Sequence, residues 1–377
     1  MKNLLFFIIC ACLLTQCSDE TISPDAYEAI VLNKRLNLPS TPFNYAVLNL
    51  PSFFQSEFIK ISDNTPADNP VSDQGATLGR VLFYDKNLSI NRTIACASCH
   101  IQKFGFSDTA TLSLGFEGGK THRHSMGLAN AKYYVSGRFF WDERAATLED
   151  QVLMPIQDKL EMGMDIDSLV KRLYAIDYYR ILFKRAFGDS VVTKQRISKS
   201  LAQFVRSMVS YRSKYDQGRA LVNKDLDSFP NFTSLENRGK RIFFTAQPTS
   251  CASCHNTNAF IGDNPRNNGL RDNQDEGVQI VTKSPFDFGK FKTPSLKNIA
   301  VRPPYMHDGR FQSLYEVINH YTTGIQYSES LDNHLKLNGS PDFIKISLED
   351  RDALVSFLEA LTDHEMLKDE KFSNPFK

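Results

Sequence analysis

The chain has 377 residues, too many for one small electron-transfer domain and enough for two domains of ordinary size with additions. Hydrophobic residues make up 41% and charged residues 23%, a balance that supports packed cores. A formal net charge of +1 excludes a strongly basic or acidic surface as the organising feature and gives no reason to expect nucleic acid as a partner.

The first stretch reads as a targeting signal. Lys2 is a short basic region, and Leu4 to Leu14 is apolar but too short for an ordinary transmembrane helix. It ends Leu14-Thr15-Gln16-Cys17, which resembles a bacterial lipoprotein cleavage box with Cys17 lipidated as the new first residue. Gln16 is bulkier than the Gly or Ala usual there, so an ordinary signal peptide stays open. Either way the chain is expected in the cell envelope, as a periplasmic protein or an outer-membrane lipoprotein. Residues 18–73 are rich in proline (Pro24, Pro39, Pro42, Pro51, Pro66, Pro70) and read as a tether and an extended segment wrapping the surface.

Two five-residue motifs organise the chain beyond this segment. Cys96-Ala97-Ser98-Cys99-His100 returns as Cys251-Ala252-Ser253-Cys254-His255. CxxCH is the attachment pattern of a c-type haem: two thiols add across the vinyl groups and the adjacent His reaches the iron. A pair of disulfides or a zinc site is the alternative, but neither needs a His directly after the second Cys. With Cys10, Cys12 and Cys17 in the N-terminal segment, no thiol is left for a structural disulfide. Two covalently bound haem c groups are therefore expected. Gly79-Arg80-Val81-Leu82-Phe83-Tyr84 precedes the first motif, and a weaker echo, Gly239-Lys240-Arg241-Ile242-Phe243-Phe244, precedes the second. The repeated order suggests two related cytochrome c-like units.

Helical patterns dominate elsewhere. Thr193 is a plausible N-cap for a helix with Ile197, Leu201, Phe204 and Met208 on one face, and Asp167 for one carrying Leu169, Val170 and Leu173. Ser347 and Asp350 form a capping box before Ala353, Leu354, Phe357, Leu358 and Leu361. Gly218 to Thr233 is polar and broken by Pro230, which places a boundary between residues 74–222 and 223–377. The expected fold is mostly α, with two haem domains.

Two haems can simply carry electrons. Catalysis on peroxide needs an iron with a reachable sixth position and a group beside it that moves a proton to the leaving oxygen. The stretches Phe139-Phe140-Trp141-Asp142-Glu143-Arg144-Ala145, Leu160-Glu161-Met162-Gly163, Thr293-Pro294-Ser295-Leu296-Lys297-Asn298 and Pro304-Tyr305-Met306-His307-Asp308-Gly309 supply the context. With both CxxCH motifs, they make the chain from about Asp73 to Leu361 resemble the bacterial di-haem cytochrome c peroxidase family, which includes the MauG enzymes.

The resemblance implies roles residue by residue. Trp141, the only Trp, falls where an aromatic residue carries electrons between haems. Glu161 matches the acid/base residue, and Gln151 and Pro155, ten and six residues earlier, match the peroxide pocket. A second His that closes the first haem in resting peroxidases corresponds to Phe116, which cannot ligate iron, so this haem is expected open; His122 and His124 are the nearby rivals. Opposite the second haem, Tyr321 stands at the family's spacing, seventeen residues beyond Pro304, with Met306 and His320 as rivals. The family's calcium position between the domains falls on His124 and the carbonyls of Arg302 and Pro304; imidazole is a poor calcium ligand, so calcium stays open.

The implied activity is reduction of hydrogen peroxide at the His100 haem, with electrons entering at the His255 haem from a small cytochrome c or cupredoxin. One alternative is a MauG-like enzyme that oxidises a residue on a partner protein. Another is a non-catalytic electron-transfer protein. A membrane contact through a lipid anchor is expected, and a homodimer is left open.

Overall fold

The computed structural model describes residues 23–271 and 274–377. Cys17 and the signal segment lie outside the described residues. Helices α1 (Pro24–Asn33) and α2 (Glu57–Ser62) interrupt an otherwise irregular N-terminal segment, so it is less extended than its proline content suggested. α3 (Asp73–Tyr84) leads to the short α4 (Cys96–Cys99), and α5 (Leu148–Gln151) and α6 (Met154–Gln157) come after a long irregular stretch. Next come α7 (Ile166–Tyr174), α8 (Asp177–Phe187), α9 (Lys194–Ser207) and α10 (Lys214–Arg219). α11 (Ser234–Thr245), α12 (Gln279–Thr282), α13 (Leu314–Asn319) and α14 (Leu348–Glu359) complete the helices. Among the described residues the only sheet is a two-residue antiparallel pair, β1 (Lys336–Leu337) and β2 (Ser340–Pro341). The fold is mostly helical, and no described helix is long and apolar enough to cross a membrane.

Local capping explains several boundaries. The Thr193 hydroxyl accepts from Arg196 N–H at 3.2 Å and starts α9. Ser347 and Asp350 satisfy each other's backbone N–H at 3.2 Å and start α14. For α7 the expected cap is corrected: Asp165, not Asp167, accepts from Ser168 N–H at 2.8 Å. Asp167 sits inside the first turn, where a carboxylate suits the helix dipole.

The two units share one crossing. In the first, α3 packs across α9; in the second, α11 packs across α14. Gly79 and Gly239 occupy the two contact points. A β-carbon on Gly79 would lie 2.0 Å from the Ser200 carbonyl oxygen, and one on Gly239 would lie 1.8 Å from that of Ala353. Only hydrogen lets the backbones approach so closely. Beside each glycine an aromatic pair fills the crossing: Phe83 with Phe204 at 5.3 Å and Phe243 with Phe357 at 5.1 Å. The echo in the sequence is therefore the same helix crossing built twice.

Each crossing has its own apolar cluster. One runs from Leu32 to Val209, the other from Tyr215 to Leu361. The chain then returns: Met366 and Phe372 bury in the first cluster. Arg80 Nε donates to Ser373 O at 2.7 Å, Tyr84 Oη to Phe372 O at 2.7 Å, and the Gln102 amide to the carbonyls of Met366 and Asp369.

Candidate active site

At the first motif, α4 begins a tight turn that places both thiols and the imidazole on one side. His100 Nδ1 lies 2.9 Å from Phe106 O, so that nitrogen carries the proton and donates it to the carbonyl. Nε2 is left as the ligand atom. Burial also lowers the imidazole's pKa, which keeps it neutral. The second motif repeats the device: His255 Nδ1 lies 3.2 Å from Phe260 O, and burial pushes this imidazole down to about 4. All four motif thiols are free of disulfides, and burial pushes them up to about 11 or 12. Each motif follows its second thiol directly with an imidazole, which a zinc site does not need. The described residues bring together only Cys254, Asp332 and His334 as a metal-like group; His334 is exposed and its Nδ1 is already paired with Asp332 at 2.8 Å.

Glu161 stands on a turn whose shape is set by Asp158. The Asp158 side chain accepts from Leu160 N–H at 2.7 Å and Glu161 N–H at 3.2 Å, and its carbonyl accepts from Gly163 N–H at 2.8 Å. Burial first, and then the Asp158 carboxylate, push the Glu161 carboxyl up to about 7. It lies close enough to the Cys96 and Cys99 thiols for its charge to raise them. Phe116 docks on this same turn: its N–H donates to Glu161 O at 3.0 Å. Gly163, at φ +60°, leaves room for the ring, because a β-carbon there would lie 2.5 Å from Phe116. Gly115 lies against Leu160 O so closely that a β-carbon would be 1.5 Å away. Gln151 ends α5 and Pro155 lies in the first turn of α6, the two helices just before this turn. His122 is exposed.

Between the units lies Trp141. Its indole N–H donates to His124 O at 2.8 Å, its carbonyl accepts from Lys292 N–H at 2.8 Å, and its ring lies 6.4 Å from that of His307. Arg123 clamps the same place: it donates to Asp142 of the first unit at 2.6 Å and, with two nitrogens, to Asp275 of the second at 2.7 Å. Sequence reasoning missed Arg123, because nothing local distinguishes it from a solvated arginine.

His124 is buried and fully engaged. Nδ1 faces the carbonyls of Ala110 and Thr111 at 3.1 and 3.2 Å, Nε2 faces Ser107 Oγ at 3.2 Å, and its N–H donates to His307 O at 2.7 Å. The sequence left calcium open at His124 with the carbonyls of Arg302 and Pro304; the ring bonds the carbonyls of Ala110 and Thr111. Calcium takes six to eight oxygen ligands; here an imidazole uses the local carbonyls, and the buried Arg302 cation is close enough to lower its pKa. The donor set does not fit calcium.

Opposite the second motif, Tyr321 sits in a π-helical turn, His320–Gly324. Burial pushes its phenol well above the ordinary value, against the Asn268 hydrogen bond, and Tyr321 lies close enough to the Cys254 and Cys251 thiols for them to add to the rise. Its oxygen accepts from Asn268 Nδ2 at 3.2 Å. The same amide nitrogen reaches Met306 Sδ at 3.6 Å. His320, the other rival, has its Nε2 held by Asn268 O at 2.9 Å. Asn268 therefore touches all three residues proposed for this position, and no sequence motif marks it.

A profile of the di-haem cytochrome c peroxidase family matches residues 73–223. The chain is 34% identical to the methylamine utilization protein MauG of Methylophilus methylotrophus, over 83% of this chain and 89% of that protein. The chain belongs to the di-haem cytochrome c peroxidase family. It is also 31% identical to the cytochrome c551 peroxidase of Nitrosomonas europaea, over 67% of this chain and 74% of that one. Among solved structures, a MauG-like protein associated with microbial copper homeostasis superposes with a TM-score of 0.72 at 32% identity, covering 82% of this chain and 95% of that one. This di-haem family implies an oxidoreductase with two c-type haems. The two motifs fit that cofactor, each offering two thiols free of disulfides and one imidazole whose Nδ1 is held by a backbone carbonyl.

Proposed function

We propose that this di-haem oxidoreductase reduces hydrogen peroxide to water at the first motif, using electrons that a small cytochrome c or cupredoxin delivers at the second. Two electrons and two protons convert each peroxide to two waters. Haem c, when bound at the two motifs, supplies the iron chemistry. His100 and His255 hold their rings for it through Phe106 O and Phe260 O. Glu161 takes a proton from the bound peroxide oxygen on its carboxylate and returns it to the leaving oxygen. Gln151 and Pro155 shape the pocket. Phe116, at the turn of Glu161, offers no ligand atom and would leave a haem bound at the first motif open to peroxide. Trp141 would carry electrons between the units, and Tyr321 would be a ligand to a haem bound at the second motif. The chain acts in the cell envelope, held there through Cys17.

The observation that carries this reading is Glu161: a carboxyl on the turn on which Phe116 docks, near the first-motif thiols and raised by burial. The test is peroxide-dependent oxidation of a reduced cytochrome c, followed by stopped-flow absorbance. Turnover that falls with Glu161→Gln supports it; equal turnover in both proteins overturns it. Tyr321 and Phe116 favour a second reading, in which the oxidising equivalents act on a residue of a partner protein, as in a MauG-like enzyme. Slow cytochrome oxidation with persistent peroxide-oxidised haem bands would select that reading.

A further inference from the structure

The second motif faces two rival ligands at once, and one side chain holds both. Asn268 Oδ1 accepts from Leu270 N–H at 3.3 Å, which fixes the amide orientation and leaves Nδ2 as the end that donates. Nδ2 points at Tyr321 Oη (3.2 Å) and Met306 Sδ (3.6 Å), while Asn268 O holds His320 Nε2 at 2.9 Å. The loop under it is anchored, since Asn267 Oδ1 accepts from Gly269 N–H at 2.9 Å and Asn267 Nδ2 donates to Ser330 Oγ at 2.9 Å. Both rivals come from unusual backbone. Tyr321 lies in a π-helical turn, and Met306 adopts φ +77°, a region costly for a residue with a side chain. Such features mark functional positions more often than ordinary packing.

We propose that Asn268 is a positioning residue that assigns the distal place of the second haem to Tyr321 rather than Met306 or His320. This rests on the reading of Tyr321 as ligand and deepens it. An amide N–H donates far better to a phenolate oxygen than to a thioether, because the bond is charge-assisted. The donor therefore holds the Tyr321 oxygen in preference to the Met306 sulfur within the same reach. The carbonyl of Asn268 occupies His320 Nε2 and removes that imidazole from the contest. Hard phenolate ligation favours ferric iron, so Asn268 also lowers the potential of the second haem.

The test uses the holoprotein in two variants. Asn268→Leu removes the donor; Asn268→Asp removes it but retains an acceptor for Leu270 N–H, which covers the case where the leucine variant does not fold. Resonance Raman spectra report phenolate bands, near-infrared absorption reports sulfur ligation, and redox titration reports the potential. The expected result is weakened phenolate bands, a new sulfur-ligated fraction and a tenfold loss of ferric preference. That loss corresponds to a rise of about 59 mV. Phenolate bands and a potential unmoved in the variants overturn the role of Asn268 alone. A wild type without phenolate bands, or a Tyr321→Phe variant with an unchanged spectrum, overturns the Tyr321 assignment as well.

Discussion

The two units are one design carried to two ends. Both cross their helices at a glycine, both fill the crossing with a phenylalanine pair, and both hold the motif imidazole by a backbone carbonyl. They differ in what faces the motif from the other side. The first meets Phe116 and a titratable glutamate on a glycine-constrained turn. The second meets Tyr321, Met306 and His320, all tied to Asn268. The frame fixes where a haem sits; the irregular segment opposite decides what that haem can do.

The largest effect that would sharpen this contrast is at Glu161. Glu161→Gln is expected to lower peroxide turnover by about 100- to 10,000-fold while electrons still enter the second haem at the wild-type rate. Stopped-flow measurement of both steps in one sample checks it, and equal damage to both would break the division of labour. The same residue predicts a pH limb. Its carboxyl is raised from the ordinary value to about 7, so the carboxylate that receives the peroxide proton is lost as pH falls below about 7. kcat/KM is expected to decline there, and Glu161→Gln should abolish the limb. The sign for stability is opposite: a raised carboxyl favours folding at low pH and loses that contribution as pH rises from about 4.5 to about 7.

Smaller effects test the shared frame. Gly79→Ala and Gly239→Ala each force a backbone shift, at a cost of about 1–3 kcal/mol. Thermal melts followed in the haem bands should show each change loosening mainly its own unit. Arg123→Met leaves Asp142 and Asp275 short of a donor and is expected to cost roughly 2 kcal/mol. Its signature is separate melting of the two units. The smallest expected effect is none: a calcium chelator should leave the melting temperature unchanged, because the His124 imidazole offers calcium no oxygen ligand. A chelator-induced drop in a calorimetric scan would contradict it.

Legibility divides along the same line. The motifs, the repeated glycine–aromatic helices and the caps at Thr193 and Ser347 are local patterns, readable from spacing alone. The cap of α7 is not, because Asp165 and Asp167 flank one helix start and only backbone geometry chooses between them. Arg123, Asn268 and the returning tail are invisible in the sequence, since their partners lie far away in the chain: Asp275 for Arg123, Met306 and Tyr321 for Asn268. Glu161 is legible through resemblance, but its poise near neutrality depends on burial that no spacing encodes.

The return of residues 363–376 to the first unit has a consequence for assembly. Met366 and Phe372 seal a core whose other members lie between Leu32 and Ile261, and Gln102, just past the first motif, fastens to that stretch of chain. A ribosome or translocon delivering the polypeptide in order releases the second unit complete before the first can shut. The first core therefore stays unsealed until residues 363–376 dock, and clipping them would open the side of the first motif while the second cluster kept its members.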